Sequence, residues 1–188
     1  MNKFGWIALL ALLPVLQGCF PVVATGVGAT AVMLDDRRTS GTYIEDEGIE
    51  LKAFHRLDEK FGKNAHVNTA SFNRQALLTG EVADQAMKEE AEKVVRGIPN
   101  VHNVFNELAI AGASSLAERS NDTYLTSKVK MRCIEANKFP FSSVKVVTEN
   151  GVVYLMGMVT RREADNATEI ARSTSGVRKV VKLFEYLD

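Results

Sequence analysis

The chain has 188 residues with 23 Lys/Arg against 23 Asp/Glu, which is room for one ordinary domain or two small ones. A net charge of zero argues against a nucleic-acid-binding protein, which needs a basic surface to neutralise phosphates. With two cysteines in the whole chain, Cys19 and Cys133, a disulfide framework is excluded.

Lys3 precedes an apolar stretch from Phe4 to Leu16. These thirteen residues are too few to span a bilayer as a helix, which takes about 20, but they suit the apolar region of a secretory signal. The stretch closes on Leu16-Gln17-Gly18-Cys19, which resembles a bacterial lipobox. That resemblance implies a signal peptide over residues 1–18, lipidation of Cys19 by acyl chains, and a lipid-anchored tether over residues 19–45. Two or more acyl chains hold a protein stably on a membrane. Phe20 follows Cys19 where an Asp would retain such a protein in the inner membrane, which implies the outer membrane, facing the periplasm. Cys133 is then left without an intramolecular partner, so the fold must stand on packing.

The tether, Phe20 to Glu45, starts small and apolar and turns polar at Asp35. Helical periodicity then runs from about Glu47 to Phe61. Next, Val67 to Gly80 reads as two alternating runs around a polar turn, a β-hairpin signature. A helix is expected over Ala83–Arg96 and a third strand opening at Asn100-Val101-His102-Asn103-Val104. Ala111-Gly112-Ala113-Ser114-Ser115 is small and flexible, and residues 111–119 read as a linker.

The same series then repeats. A helix is expected over Thr123–Asn137, and Val144 to Gly157 aligns without gaps on Val67 to Gly80. Its Asn150-Gly151 turn favours type I′. A helix over Arg161–Ser173 and a strand opening at Gly176-Val177-Arg178-Lys179-Val180 complete the copy. The order αββαβ, twice, predicts an α+β protein of two tandem modules, over residues 46–110 and 120–188. Each is a three-stranded mixed sheet with two helices on one face. The first module carries 8 Lys/Arg and 11 Asp/Glu, net −3, and the second 11 and 8, net +3.

No catalytic constellation is visible. The histidines, His55, His66 and His102, all fall in the first module without i,i+4 pairing or a neighbouring cysteine, so neither a metal site nor a cofactor is expected. Glu89, Glu90 and Glu92 read as a solvated helix face. Phosphate loops and nucleophile elbows are absent from the sequence.

The first helix of the second module has two informative sides. At 100° per residue, Leu125, Val129, Cys133 and Ala136 share the side that should face the sheet. Tyr124, Lys128, Met131 and Arg132 share the adjoining side. That side reads either as a solvated charged surface or as a contact for anionic lipid headgroups, where an amphipathic aromatic and cations belong. Lys130 adds charge from the far side and Glu135 subtracts some.

The αββαβ order, the strand Val153-Tyr154-Leu155-Met156-Gly157 and the closing Gly176 to Val180 resemble BON domains. Asp36-Arg37-Arg38-Thr39-Ser40-Gly41-Thr42 with Glu45-Asp46, Ser120-Asn121-Asp122-Thr123 and Val146 to Gly151 strengthen a likeness to dual-BON outer-membrane lipoproteins. The resemblance implies a non-enzymatic protein that supports outer-membrane integrity. Its expected partner is anionic phospholipid such as phosphatidylglycerol, bound through Tyr124, Lys128, Met131 and Arg132. The family commonly carries Trp where Tyr124 stands, which implies a weaker anchor. A protein adaptor for envelope-assembly or cell-division machinery, touching lipid only through its acyl chains, remains the alternative.

Overall fold

The computed structural model describes residues 36–188; the expected signal peptide, Cys19 and the tether up to Asp35 lie outside the described residues. Both expected modules are α+β with two helices against a mixed sheet. The first comprises α1 (Ser40–Phe61), β1 (His66–Phe72), β2 (Gln75–Val82), α2 (Gln85–Arg96), β3 (Asn103–Asn106) and β4 (Ala109–Ile110). The second comprises α3 (Leu116–Ala136), β5 (Val144–Glu149), β6 (Val152–Val159), α4 (Arg161–Arg172) and β7 (Lys179–Tyr186). Among the described residues, no helix is long and apolar enough to cross a membrane.

The leading helix of each module starts well before its apolar periodicity does. Thr39 caps α1, its hydroxyl accepting from the N–H of Thr42 at 3.1 Å. Ser115 and Glu118 form a reciprocal capping box on α3. Ser40–Glu45, read as tether, and residues 116–119, read as linker, are therefore the opening turns of helices. Capping, not burial, fixes these starts, so hydrophobic spacing does not reveal them.

In each sheet the central strand pairs antiparallel with its hairpin partner and parallel with the last strand. In the first module that last strand is interrupted: β3 and β4 lie along one edge of β2, separated by Glu107 and the buried Leu108. The two hairpins keep equivalent registers, Val67 opposite Gly80 and Val144 opposite Gly157. Both glycines are required by a close approach. A Cβ at Gly80 would sit 2.0 Å from the carbonyl oxygen of His66, and one at Gly157 2.3 Å from that of Ser143.

Alternation along the strands gives each sheet two apolar faces. Ala76, Leu78 and Val82 of β2 meet Ile49, Ala53 and Leu57 of α1 and Ala91 and Val95 of α2. Val153, Leu155 and Val159 of β6 likewise meet Val129 and Cys133 of α3 and Ala164, Ala167 and Ala171 of α4. The opposite faces pack against each other: Ala70, Phe72 and Leu77 from the first sheet cluster with Tyr154 and Met156 from the second. The layers thus run helices, sheet, sheet, helices, with an apolar seam between the modules.

Polar contacts border the seam. Lys145 pairs with Glu50 and donates to the carbonyl of Ser71 at 3.1 Å, and Asn73 donates to the Glu185 carboxylate at 2.9 and 3.1 Å. Ahead of α1, Arg37 reaches the second module with a two-pronged grip on Glu163, at 2.7 and 2.8 Å, and a bond to the Met158 carbonyl at 2.8 Å. Planar guanidinium–carboxylate pairing of this kind fixes orientation as well as energy.

Candidate functional site

Helix α3 is held on its inner side by Leu125, Val129 and Cys133, all buried, and ends at Asn137 in the left-handed conformation (φ 46°). This anchoring presents the opposite side to solvent as a rigid surface. Tyr124 is 62% exposed, Met131 55% and Ile134 52%. At 100° per residue the three fall within about 80° of one another, an apolar stripe along one side of the helix in which the exposed Ser127 also lies. Isolated exposed apolar residues need no explanation, whereas a contiguous group marks a contact surface.

The cations expected on this side differ in what they do. Lys128 lies over the edge of the stripe, its Nζ 5.8 Å from the Tyr124 ring centroid, and donates to the carbonyl of Ser175 at 3.1 Å. Its half-buried stem and polar head suit the border between an apolar surface and water. Arg132 turns toward α4 instead. Its guanidinium donates to the Ile170 carbonyl at 3.0 Å, to the Thr174 hydroxyl at 2.6 Å and to the Ser173 hydroxyl at 3.1 Å. It therefore closes the C-terminal end of α4, where a cation is favoured by exposed carbonyls and the helix dipole. Tyr124, Met131 and Lys128 are brought together; Arg132 is adjacent but engaged.

Ile134 is the apolar member that the sequence reading missed. Its spacing of three residues from Met131 is the signal that places it on that face. It also borders a groove of about 410 Å³ lined by Lys138, Phe139 and Phe141 beyond the end of α3. Cys133, also on that groove, is no nucleophile: burial pushes its thiol up to about 11, against a smaller opposing effect from Arg132.

Helix α1 also exposes an apolar stripe, with Ile44 at 69%, Leu51 at 59% and Phe54 at 60%. Here the surrounding charge is different. Glu45, Glu47, Glu50, Asp58 and Glu59 outnumber Lys52, Arg56 and Lys60 along the helix, a sign unsuited to an anionic surface.

A second grouping lies at the edge of the seam. His66 and Glu81 face each other across the β1–β2 pair, His66 Nδ1 lying 3.0 Å from Glu81 Oε2. Glu149, at the end of β5, joins them from the second module. Burial raises the Glu149 carboxyl above its ordinary range, and the hydrogen bond from Asn68 offsets part of that rise. Sequence spacing could not show this group, because its members meet through strand register and module packing.

Comparison with known proteins gives a consistent family. The BON domain matches at residues 46–112 and again at 121–188. The chain is similar to Outer membrane lipoprotein DolP of Haemophilus influenzae, 38% identical over 175 residues, covering 92% of this chain and 91% of that protein. It is also similar to the 21 kDa hemolysin of Actinobacillus pleuropneumoniae, 30% identical over 81% of this chain and 79% of the other. Osmotically-inducible protein Y of Escherichia coli K12 is 32% identical over 74% of this chain and 72% of its own.

Proposed function

The chain belongs to the BON domain family and carries two copies of the domain, and from that premise we propose that it is a lipid-anchored outer-membrane protein whose second module binds anionic phospholipid. It is a binding protein, not an enzyme, and it acts on the periplasmic side to support the integrity of the membrane. Its likeness to an outer membrane lipoprotein along nearly the full chain supports the location, and the lipobox-like Leu16 to Cys19 supports the anchor.

The observation that carries the lipid reading is the exposed stripe of Tyr124, Met131 and Ile134 beside Lys128. Tyr124 suits the headgroup level, with its ring against acyl carbon and its hydroxyl in water. Met131 and Ile134 reach below it. Lys128, Lys130 and Lys138 attract anionic headgroups, each cation near such a surface contributing about 1 kcal/mol. The net +3 charge of residues 120–188 has the same sign. The first module, net −3 over residues 46–110, contributes the seam and holds the second module in place.

The test is co-sedimentation of the unlipidated chain from Phe20 onward with vesicles, with and without phosphatidylglycerol. Binding to anionic vesicles only, weakened by salt and lost in Tyr124→Glu, is expected. Failure to bind any vesicle would leave the acyl chains as the membrane contact and turn the search to envelope-assembly partners.

A further inference from the structure

We propose that His66, Glu81 and Glu149 form a binding site for one divalent transition-metal ion of the zinc class, shared between the two modules. One potential ligand atom from each residue lies within 4.8 Å of the other two. Two of the residues come from the β1–β2 hairpin of the first module and the third from β5 of the second, so an ion there would tie the modules together across the edge of their seam.

The donor set is both buried and short of positive charge. Glu81 is 4% exposed and Glu149 7%. Among the described residues, no lysine or arginine forms an ion pair with either carboxylate, and His66 is the one group within ion-pair distance of Glu81. Arg119, which lines the adjoining cavity, directs its Nε to the Ser114 hydroxyl at 3.2 Å. Buried carboxylates are normally paired with cations or bound to metals. Two of them converging on one imidazole supply the negative charge that a divalent ion would neutralise.

The surroundings hold these side chains in place. The N–H of Ser114 donates to Glu81 Oε2 at 3.1 Å, and the Asn68 amide donates to Glu149 Oε2 at 3.0 Å. Such outer hydrogen bonds orient ligands and are part of a working metal site. A tetrahedral zinc needs its ligand atoms about 3.3 Å apart. The His66–Glu81 separation of 3.0 Å already meets that need, and Glu149, within 4.8 Å, must come closer for the ion to bind. On binding, the ion replaces the direct His66–Glu81 hydrogen bond. The imidazole selects zinc, cobalt or nickel over magnesium and calcium, which prefer all-oxygen sites. Three protein ligands leave a fourth position for water, and His66 and Glu149 border a cavity of about 360 Å³.

The experiment is calorimetric titration of the metal-free full chain, in detergent, with ZnCl₂ and separately with MgCl₂. One zinc per chain is expected, with melting raised by about 5 °C or more at a hundredfold excess over Kd. Glu149→Gln and His66→Gln should each weaken zinc binding by at least about tenfold while keeping the wild-type circular dichroism spectrum in chelator. As a readout independent of any variant folding, Co²⁺ added to the wild type should give visible d–d bands that zinc abolishes. A wild type that binds no zinc and gives no cobalt bands would overturn the proposal. So would variants that fold and keep full affinity, or magnesium binding as tight as zinc.

Discussion

The Asp122 carboxylate, on α3, accepts hydrogen bonds from the backbone N–H groups of Asn150 and Gly151 at 2.7 and 2.8 Å. It thereby locks the type I′ turn of its hairpin to the leading helix. Asp46 does the same in the first module, accepting from the N–H groups of Asn73 and Arg74, both at 2.8 Å, and also from the Ser71 hydroxyl at 2.7 Å. The first hairpin has no glycine in its turn. Asn73 and Arg74 both adopt positive φ, 50° and 64°, and the buried carboxylate holds a conformation that an arginine disfavours. Asp122→Ala leaves two turn N–H groups without this acceptor. It should destabilise by about 2–3 kcal/mol, lowering the melting temperature by roughly 5–10 °C. Asp122→Asn retains one acceptor oxygen and should lose about half as much. Thermal unfolding followed by circular dichroism reads both.

Two glycines separate conformational need from habit. Gly157→Ala would place a methyl 2.3 Å from the Ser143 carbonyl oxygen, where backbone must shift. A loss of about 3 kcal/mol or more is expected, consistent with overpacking against an unyielding strand. Gly48 lies inside α1, and a Cβ there meets nothing within 4 Å. Gly48→Ala should therefore stabilise by about 0.5–1 kcal/mol, because alanine loses less backbone freedom on entering a helix. Urea denaturation of the two variants should shift the midpoint in opposite directions.

The repeat, the helix–sheet pairing and the Asn150-Gly151 turn were legible because each rests on local sequence periodicity or turn chemistry. The sheet-on-sheet seam depends on contacts between the modules, and the sequence carries one sign of it. Val152-Val153-Tyr154-Leu155-Met156 has no polar residue, whereas a strand with one solvated face should alternate. Tyr154 and Met156 belong to the seam while Val153 and Leu155 belong to the helix-facing core. Of the candidate lipid face, the exposure of Tyr124 and Met131 follows from helical spacing. The direction taken by Arg132 does not, because it depends on where the end of α4 lies in space. Glu81 stands opposite His66 by extension of the first hairpin's register, whereas Glu149 reaches them from a strand of the other module and was equally invisible.

Acid should weaken the attachment of the segment before α1. The Arg37 guanidinium, with help from the Thr160 capping contacts, holds the Glu163 carboxyl down to about 2 against the opposing effect of burial. A depressed carboxyl contributes its full stabilisation above the unfolded value of 4.5 and loses it as pH falls from there through about 2. Glu163→Gln should therefore be less stable than the wild type at pH 7, by up to about 3 kcal/mol. The gap should close as pH approaches 2, the folded-state value. Arg37→Ala removes the main cause of the shift, so at neutral pH its stability should lie closer to that of Glu163→Gln than the wild type's does. Chemical denaturation of the three proteins across this pH range gives the comparison, and a gap that does not change with pH would contradict the assignment.

Arg132 and Ile134 stand two residues apart in sequence but play different parts. Arg132 is bound to the end of α4 through Ile170, Ser173 and Thr174, so Arg132→Gln should cost about 1–2 kcal/mol of stability. Its charge still adds to the field of the surface, and losing it should weaken phosphatidylglycerol-vesicle binding by no more than about fivefold, equivalent to one cation near an anionic membrane. Ile134 is half exposed and supports no buried contact cluster. Ile134→Asp should leave the melting temperature near that of the wild type. It should weaken vesicle binding by at least about tenfold, since it removes apolar contact and adds a repelled charge. Paired melting and co-sedimentation measurements distinguish the structural cation from the lipid-contacting side chain; the reverse pattern would move the contact surface from the stripe to the α3–α4 edge.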